Sequence, residues 1–117
     1  MAEILIVEDA KLQKALIQRF IRPNHTVVGI VESEERAIDF AVQYEPDIAI
    51  IDINLSEGSG AAVADQIDSN DLNTKIIIST AVTNDELRNL AKQPSIDAYL
   101  VKPYSQEELL KTIEQVC

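Results

Sequence analysis

Ile48-Ala49-Ile50-Ile51-Asp52-Ile53-Asn54-Leu55 is the stretch on which the fold turns. Four consecutive apolar residues, three of them β-branched, run directly into a carboxylate. A continuous Ile/Val-rich run of this length suits a strand buried on both faces, as in a parallel sheet, better than the alternating pattern of a half-solvated one. Asp52 then stands where such a strand ends.

The same pattern recurs on both sides. Ile4-Leu5-Ile6-Val7, Val27-Val28-Gly29-Ile30-Val31, Ile76-Ile77-Ile78 and Ala98-Tyr99-Leu100-Val101 are further short apolar runs. Segments with helical spacing lie between them. Leu12, Leu16 and Phe20 form one stripe, Ala37, Ile38, Ala41 and Val42 a second, and Ala61, Ala64 and Ile67 a third. Leu87, Leu90 and Ala91 form a short fourth, closed by Pro94, and Leu109, Leu110, Ile113 and Val116 a fifth. Thr83 with Glu86, and Ser105 with Glu108, have capping-box spacing. Five strand-then-helix units with short polar links, such as Glu57-Gly58-Ser59-Gly60 and Asp68-Ser69-Asn70-Asp71, predict an α/β fold. Its parallel sheet is doubly wound, with five strands and helices on both faces.

At 117 residues the chain fits one domain, expected over 1–117. Twenty acidic residues against ten basic ones give a net charge of −10. Such a surface repels phosphate backbones and argues against direct nucleic-acid binding. No apolar run approaches the roughly 20 residues of a membrane span, and no signal-peptide pattern opens the sequence. The single cysteine, Cys117, has no internal partner, which suits a reducing compartment. A soluble, cytoplasmic protein is the expectation. His25, the one histidine, is read as a surface loop residue, and Tyr44 and Tyr104 as half-buried packing residues.

Ligands of open α/β sheets bind beyond the carboxyl ends of the strands. There the sequence places Glu8-Asp9, Asp52 followed by Asn54, Ser79-Thr80, and Lys102-Pro103. If the first and third strands are neighbours, three carboxylates converge, and their repulsion calls for raised pKa values or a cation. An all-oxygen set favours a hard cation such as Mg²⁺. A carboxylate beside it can attack phosphorus to give an aspartyl phosphate, with Thr80 and Lys102 on the phosphoryl oxygens. Taken singly, each residue has a plainer reading: Asp9 as a helix N-cap, Glu8 as a solvated strand end, Asp52 as a turn residue, Thr80 as a strand-end hydroxyl, Lys102 as a surface charge. Their joint placement on the binding edge favours the site.

With these residues in order, Ile6-Val7-Glu8-Asp9, Ile50-Ile51-Asp52-Ile53-Asn54-Leu55, Gly60, Ser79-Thr80-Ala81 and Tyr99-Leu100-Val101-Lys102-Pro103-Tyr104, the chain resembles the CheY-like receiver domains of two-component response regulators from Glu3 to about Val116. The resemblance implies a flavodoxin-like strand order 2-1-3-4-5 with five helices. It implies Asp52 as phosphoacceptor, and Mg²⁺ (or Mn²⁺) held by Asp9, Asp52, the backbone carbonyl of Asn54 and, through water, Glu8. Thr80 is the implied switch hydroxyl, Tyr99 the switch aromatic, Lys102 the phosphate-pairing ammonium, and Pro103 the residue of a cis peptide. It further implies a sensor histidine kinase or histidine phosphotransfer protein as donor. An effector protein or output domain would respond to the fourth helix, fifth strand and fifth helix. No enzyme activity is implied beyond self-catalysed phosphorylation and dephosphorylation of Asp52.

The chain departs from the family at Ser56, where a proline is common, and adds Glu57 beside it; together these predict a looser loop and an altered dephosphorylation rate. Val82 offers no group to position an attacking water. A haloacid-dehalogenase-type phosphohydrolase wants an acid where Asn54 stands. A flavin or nucleotide binder wants a Gly-rich turn where Glu8-Asp9-Ala10-Lys11 stands. A receiver that has lost phosphorylation would not need Glu8, Asp9, Asp52, Thr80 and Lys102 together. A segment of a longer hybrid sensor kinase or multidomain regulator remains an alternative context.

Overall fold

The computed structural model describes residues 1–81, 89 and 93–117. Its strands are β1 (Glu3–Val7), β2 (Thr26–Val31), β3 (Ile48–Asp52), β4 (Lys75–Thr80) and β5 (Ala98–Val101). Its helices are α1 (Lys11–Ile21), α2 (Glu34–Tyr44), α3 (Gly60–Ser69) and α4 (Gln106–Val116). The strands form one parallel sheet in the order β2-β1-β3-β4-β5, the order that the resemblance implies. Helix α4 is the fifth predicted helical segment. The fourth, with Leu87, Leu90 and Ala91, the Thr83/Glu86 box and Val82 lie outside the described residues.

The continuous apolar runs are explained by burial on both sides. Successive strand residues point to opposite faces. Leu5, Val7, Ala49, Ile51, Ile76 and Ile78 pack with Ala37 and Ala41 of α2 and with Val63, Ala64 and Ile67 of α3. Ile4, Ile6, Ile48, Ile50 and Ile77 pack with Ile17 and Ile21 of α1 and with Leu109 and Ile113 of α4. Strand β3 is buried at every residue, Asp52 included.

Two predicted faces are corrected. The α1 stripe Leu12–Leu16–Phe20 is only in part the buried one: Leu12 is 86% and Leu16 40% exposed, Phe20 packs partly buried at the edge of the core, and Ile17 and Ile21 face the sheet. The segment carries two interleaved apolar stripes of helical spacing, and the β-branched pair is the one that the sheet covers. Tyr44 is 61% exposed, stacked against Phe40 at 4.6 Å, and Tyr104 is buried rather than half-buried. Asp68 and Ser69, expected in a link, form the last turn of α3.

Local chemistry fixes the ends. Ser33 caps α2 by accepting the Arg36 amide, and Ser105 and Glu108 make the predicted capping box on α4. The Lys102–Pro103 peptide is cis. His25 is half-buried and structurally engaged: its Nδ1 accepts the Ala2 amide at 3.0 Å, and burial lowers its pKa.

Candidate functional site

Because β1 and β3 pair directly, with Val7 opposite Ile51, the residues following them meet at the carboxyl edge. Glu8, Asp9 and Asp52 each bring a carboxylate oxygen within 4.8 Å of the other two. Among the described residues this is the one such group of potential metal ligands. Glu8 is 1% and Asp52 9% exposed, whereas Asp9 lies at the rim.

Glu8 is far from a solvated strand end. Its Oε2 accepts the amides of Asp9 (3.0 Å) and Ala10 (3.4 Å), and its Oε1 accepts Lys102 Nζ at 3.1 Å. Lys102 also reaches Asp52 Oδ1 at 3.3 Å. One ammonium thus serves two buried carboxylates. Burial and the neighbouring Asp52 raise the Glu8 pKa, although Lys102 works against the rise. For Lys102, burial alone would lower the pKa; the hydrogen bond to Glu8 and the two nearby carboxylates outweigh it, and the value is raised.

Asp9 does not cap α1. The N-cap is Ala10, and the Asp9 carboxylate turns instead to the loop after β3. Its Oδ2 accepts the Ser56 amide at 2.7 Å and also the Ser56 hydroxyl, and these hydrogen bonds lower its pKa. Asp52 Oδ1 accepts the Asn54 amide at 3.3 Å, so the backbone after the strand curls toward the carboxylate. The loop folds back on itself. Asn54 bridges Ser59, and the Gly60 amide donates to the Ile53 carbonyl at 3.1 Å. A Cβ on Gly60 would stand 2.3 Å from the Asp52 carbonyl oxygen, so only glycine fits there.

A second fastening holds the loop to α2. Glu34 Oε1 accepts the Ser59 amide at 3.0 Å, and the Glu34 amide donates to the Glu57 carbonyl at 3.1 Å. Hydrogen bonds to Asp9 and Glu34 thus fasten the loop that carries Ser56 on two sides. Ser56 and Glu34 were not legible as partners of the site, because both make loop contacts that follow no apolar run or helical spacing.

Thr80 and Tyr99 lie on the two strands beyond Asp52. Thr80 is wholly buried beside Val101, and its carbonyl accepts the Lys102 amide at 2.7 Å. Tyr99 stands opposite Ile78, half-buried against the α2–α3 side of the core, which raises its pKa. Every residue predicted for the site is at this edge or on the strands that form it.

Known proteins share this fold. The family model for the response regulator receiver domain matches residues 4–114. The nitrate/nitrite response regulator NarL of Escherichia coli is 28% identical over 116 residues, covering 97% of this chain and 54% of NarL. The chain thus spans about half the length of that relative. Among solved structures, a LuxR-family DNA-binding response regulator from Staphylococcus aureus superimposes with a TM-score of 0.90 at 25% identity, covering 99% of this chain and 98% of that one. The receiver domain of the sensor histidine kinase PA1611 from Pseudomonas aeruginosa has a TM-score of 0.89 at 24% identity, covering 98% and 96%, and holds a magnesium ion in its active-site cleft. With the strand order, the acidic edge and a family match across nearly its whole length, the chain belongs to the receiver domains of two-component response regulators.

Proposed function

We propose that residues 1–117 act as one phosphoacceptor unit in which Asp52 takes a phosphoryl group from a histidine kinase or histidine phosphotransfer protein. The observation that carries this reading is the cluster of three carboxylates served by a single ammonium, at the carboxyl edge of a parallel sheet.

The donor set suits a hard cation: all oxygen, with carboxylates outnumbering the one neighbouring ammonium. Asp9, Asp52 and the Asn54 carbonyl would hold Mg²⁺ directly and Glu8 through water, with Mn²⁺ as a substitute. When bound, the ion neutralises charge on the carboxylates and on the incoming phosphoryl group. A carboxylate oxygen of Asp52 attacks phosphorus while the bond from phosphorus to the histidine nitrogen, or to the leaving oxygen of acetyl phosphate, breaks. The product is an acyl phosphate on Asp52. Lys102, already 3.3 Å from Asp52, moves its charge to the new phosphoryl oxygens. The Thr80 hydroxyl follows, and Tyr99 turns into the space behind it. The face formed by β5 and α4 then changes for an effector protein or output domain. Phosphorylation and its reversal are self-catalysed, so the chain is a switch rather than a classical enzyme. The share of NarL that is matched favours a second context, a receiver within a longer regulator or hybrid kinase. Among the described residues no helix is long and apolar enough to cross a membrane; the cytoplasmic site of action proposed here rests on the family.

Incubation with acetyl phosphate and Mg²⁺ tests the reading by intact mass. One phosphoryl group is expected on the wild type, with none on Asp52→Asn and none in excess chelator. Full labelling of the variant would remove Asp52 as the acceptor.

A further inference from the structure

We infer that Ser56 is a positioning residue for the cation site, acting through Asp9; this rests on the metal reading given above. Three observations converge. First, Ser56 contributes both its amide and its hydroxyl to the same oxygen, Asp9 Oδ2. Second, Asp9 is left available for this contact because Ala10, not Asp9, occupies the N-cap of α1. Third, Ser56 is held in place from its far side. The Ser33–Glu57 bridge, the Glu34 amide donating to the Glu57 carbonyl and the Ser59 amide donating to Glu34 Oε1 fasten the loop to α2.

A carboxylate has about four acceptor positions. Two hydrogen bonds on Oδ2 leave Oδ1 able to take a cation while fixing the rotation of the group. Asp9 is the member of the cluster nearest solvent and the one with no ion pair among the described residues. Without Ser56 it would be the least constrained of the three. Partners that orient a ligating carboxylate typically contribute 10–100-fold to metal affinity. A proline at this position has neither donor. Here the same position fixes the ligand.

The test is Mg²⁺ titration of the full chain followed by amide NMR shifts, on wild type, Ser56→Ala, Ser56→Thr and Asp9→Asn. Urea unfolding of each variant is measured alongside. Ser56→Ala is expected to bind Mg²⁺ about tenfold more weakly at unchanged stability. Ser56→Thr, which keeps both donors, is expected to bind near the wild-type value. Ser56→Ala binding as tightly as wild type or more tightly would overturn the role of Ser56 alone. Failure of Ser56→Thr to restore affinity would also overturn it. Wild type that does not saturate with Mg²⁺, or Asp9→Asn that binds like wild type, would instead overturn the metal reading beneath it.

Discussion

Lys102 Nζ lies 3.1 Å from Glu8 Oε1 and 3.3 Å from Asp52 Oδ1, so a residue following the last strand neutralises carboxylates at the ends of the first and third. Removing one partner of a buried pair costs about 3–5 kcal/mol, because the other charge is left uncompensated. Lys102→Ala is expected to destabilise by about 2 kcal/mol at neutral pH, below that range. The lysine side chain keeps 16% exposure, and Glu8 can take up a proton. Urea unfolding measures the loss. Mg²⁺ affinity should stay equal or rise, since an ammonium beside a cation repels it.

The raised pKa of Glu8 sets a pH dependence of definite sign. The native state holds the Glu8 proton more tightly than the unfolded chain does. The cost of ionising Glu8 is therefore fully present above its raised folded value and absent below the unfolded value of 4.5. Glu8→Gln should be at least as stable as wild type at pH 7, and its advantage should vanish as the pH falls through this window. Denaturant midpoints of the two proteins across that range are the measurement. A constant difference would show that Glu8 is not the group responsible.

Gly60 and Gly29 give an internal comparison. At Gly60 a Cβ would meet backbone, the Asp52 carbonyl oxygen at 2.3 Å and Ile53 Cα at 2.9 Å. At Gly29 the nearest atoms it would meet belong to the Phe40 ring, at 2.6 Å, and that ring is a side chain able to swing away. Overpacking costs about 1–3 kcal/mol. Gly60→Ala should sit at the top of that range and lower phosphoryl uptake by displacing Asp52, whereas Gly29→Ala should sit at the bottom and leave uptake intact. Thermal unfolding together with acetyl phosphate labelling separates the two.

Beryllofluoride, which imitates a phosphoryl group, should shift the amide resonances of Thr80, Tyr99 and Val101 as well as those around Asp52. The physical reason is that new acceptor oxygens on Asp52 attract the Thr80 hydroxyl and Lys102, and Tyr99 lies one strand further out. Residues 85–92, the predicted fourth helical segment, should respond with them. Shifts confined to the loops around Asp52, with Tyr99 unmoved, would rule this route out.

Much of the site was legible because the chemistry sits at strand ends, and strand ends are where apolar runs stop. Glu8, Asp52, Thr80 and Lys102 each follow such a run, and the parallel register brings all four to one edge. The facing of α1 was less legible, because Leu12–Leu16 and Ile17–Ile21 have equally good helical spacing and only the sheet decides between them. The contacts of Asp9 with Ser56 and of Glu34 with Ser59 were not legible at all. Hydroxyls, amides and carboxylates in loops carry no periodic signal, and their pairing depends on a backbone course that composition does not encode.

The ion pair between Glu8 and Lys102 joins residues 94 apart in a chain of 117. A ribosome therefore makes the two buried carboxylates long before the charge that balances them. Any assembly of the first four strands without β5 would bring Glu8 and Asp52 together against their own repulsion, an electrostatically incomplete domain. Synthesis runs at about 5–20 residues per second, which leaves seconds in which water, protons or counterions must stand in for Lys102. The switch comes into being with its last strand, and a nascent chain lacking that strand has no ammonium to poise the site.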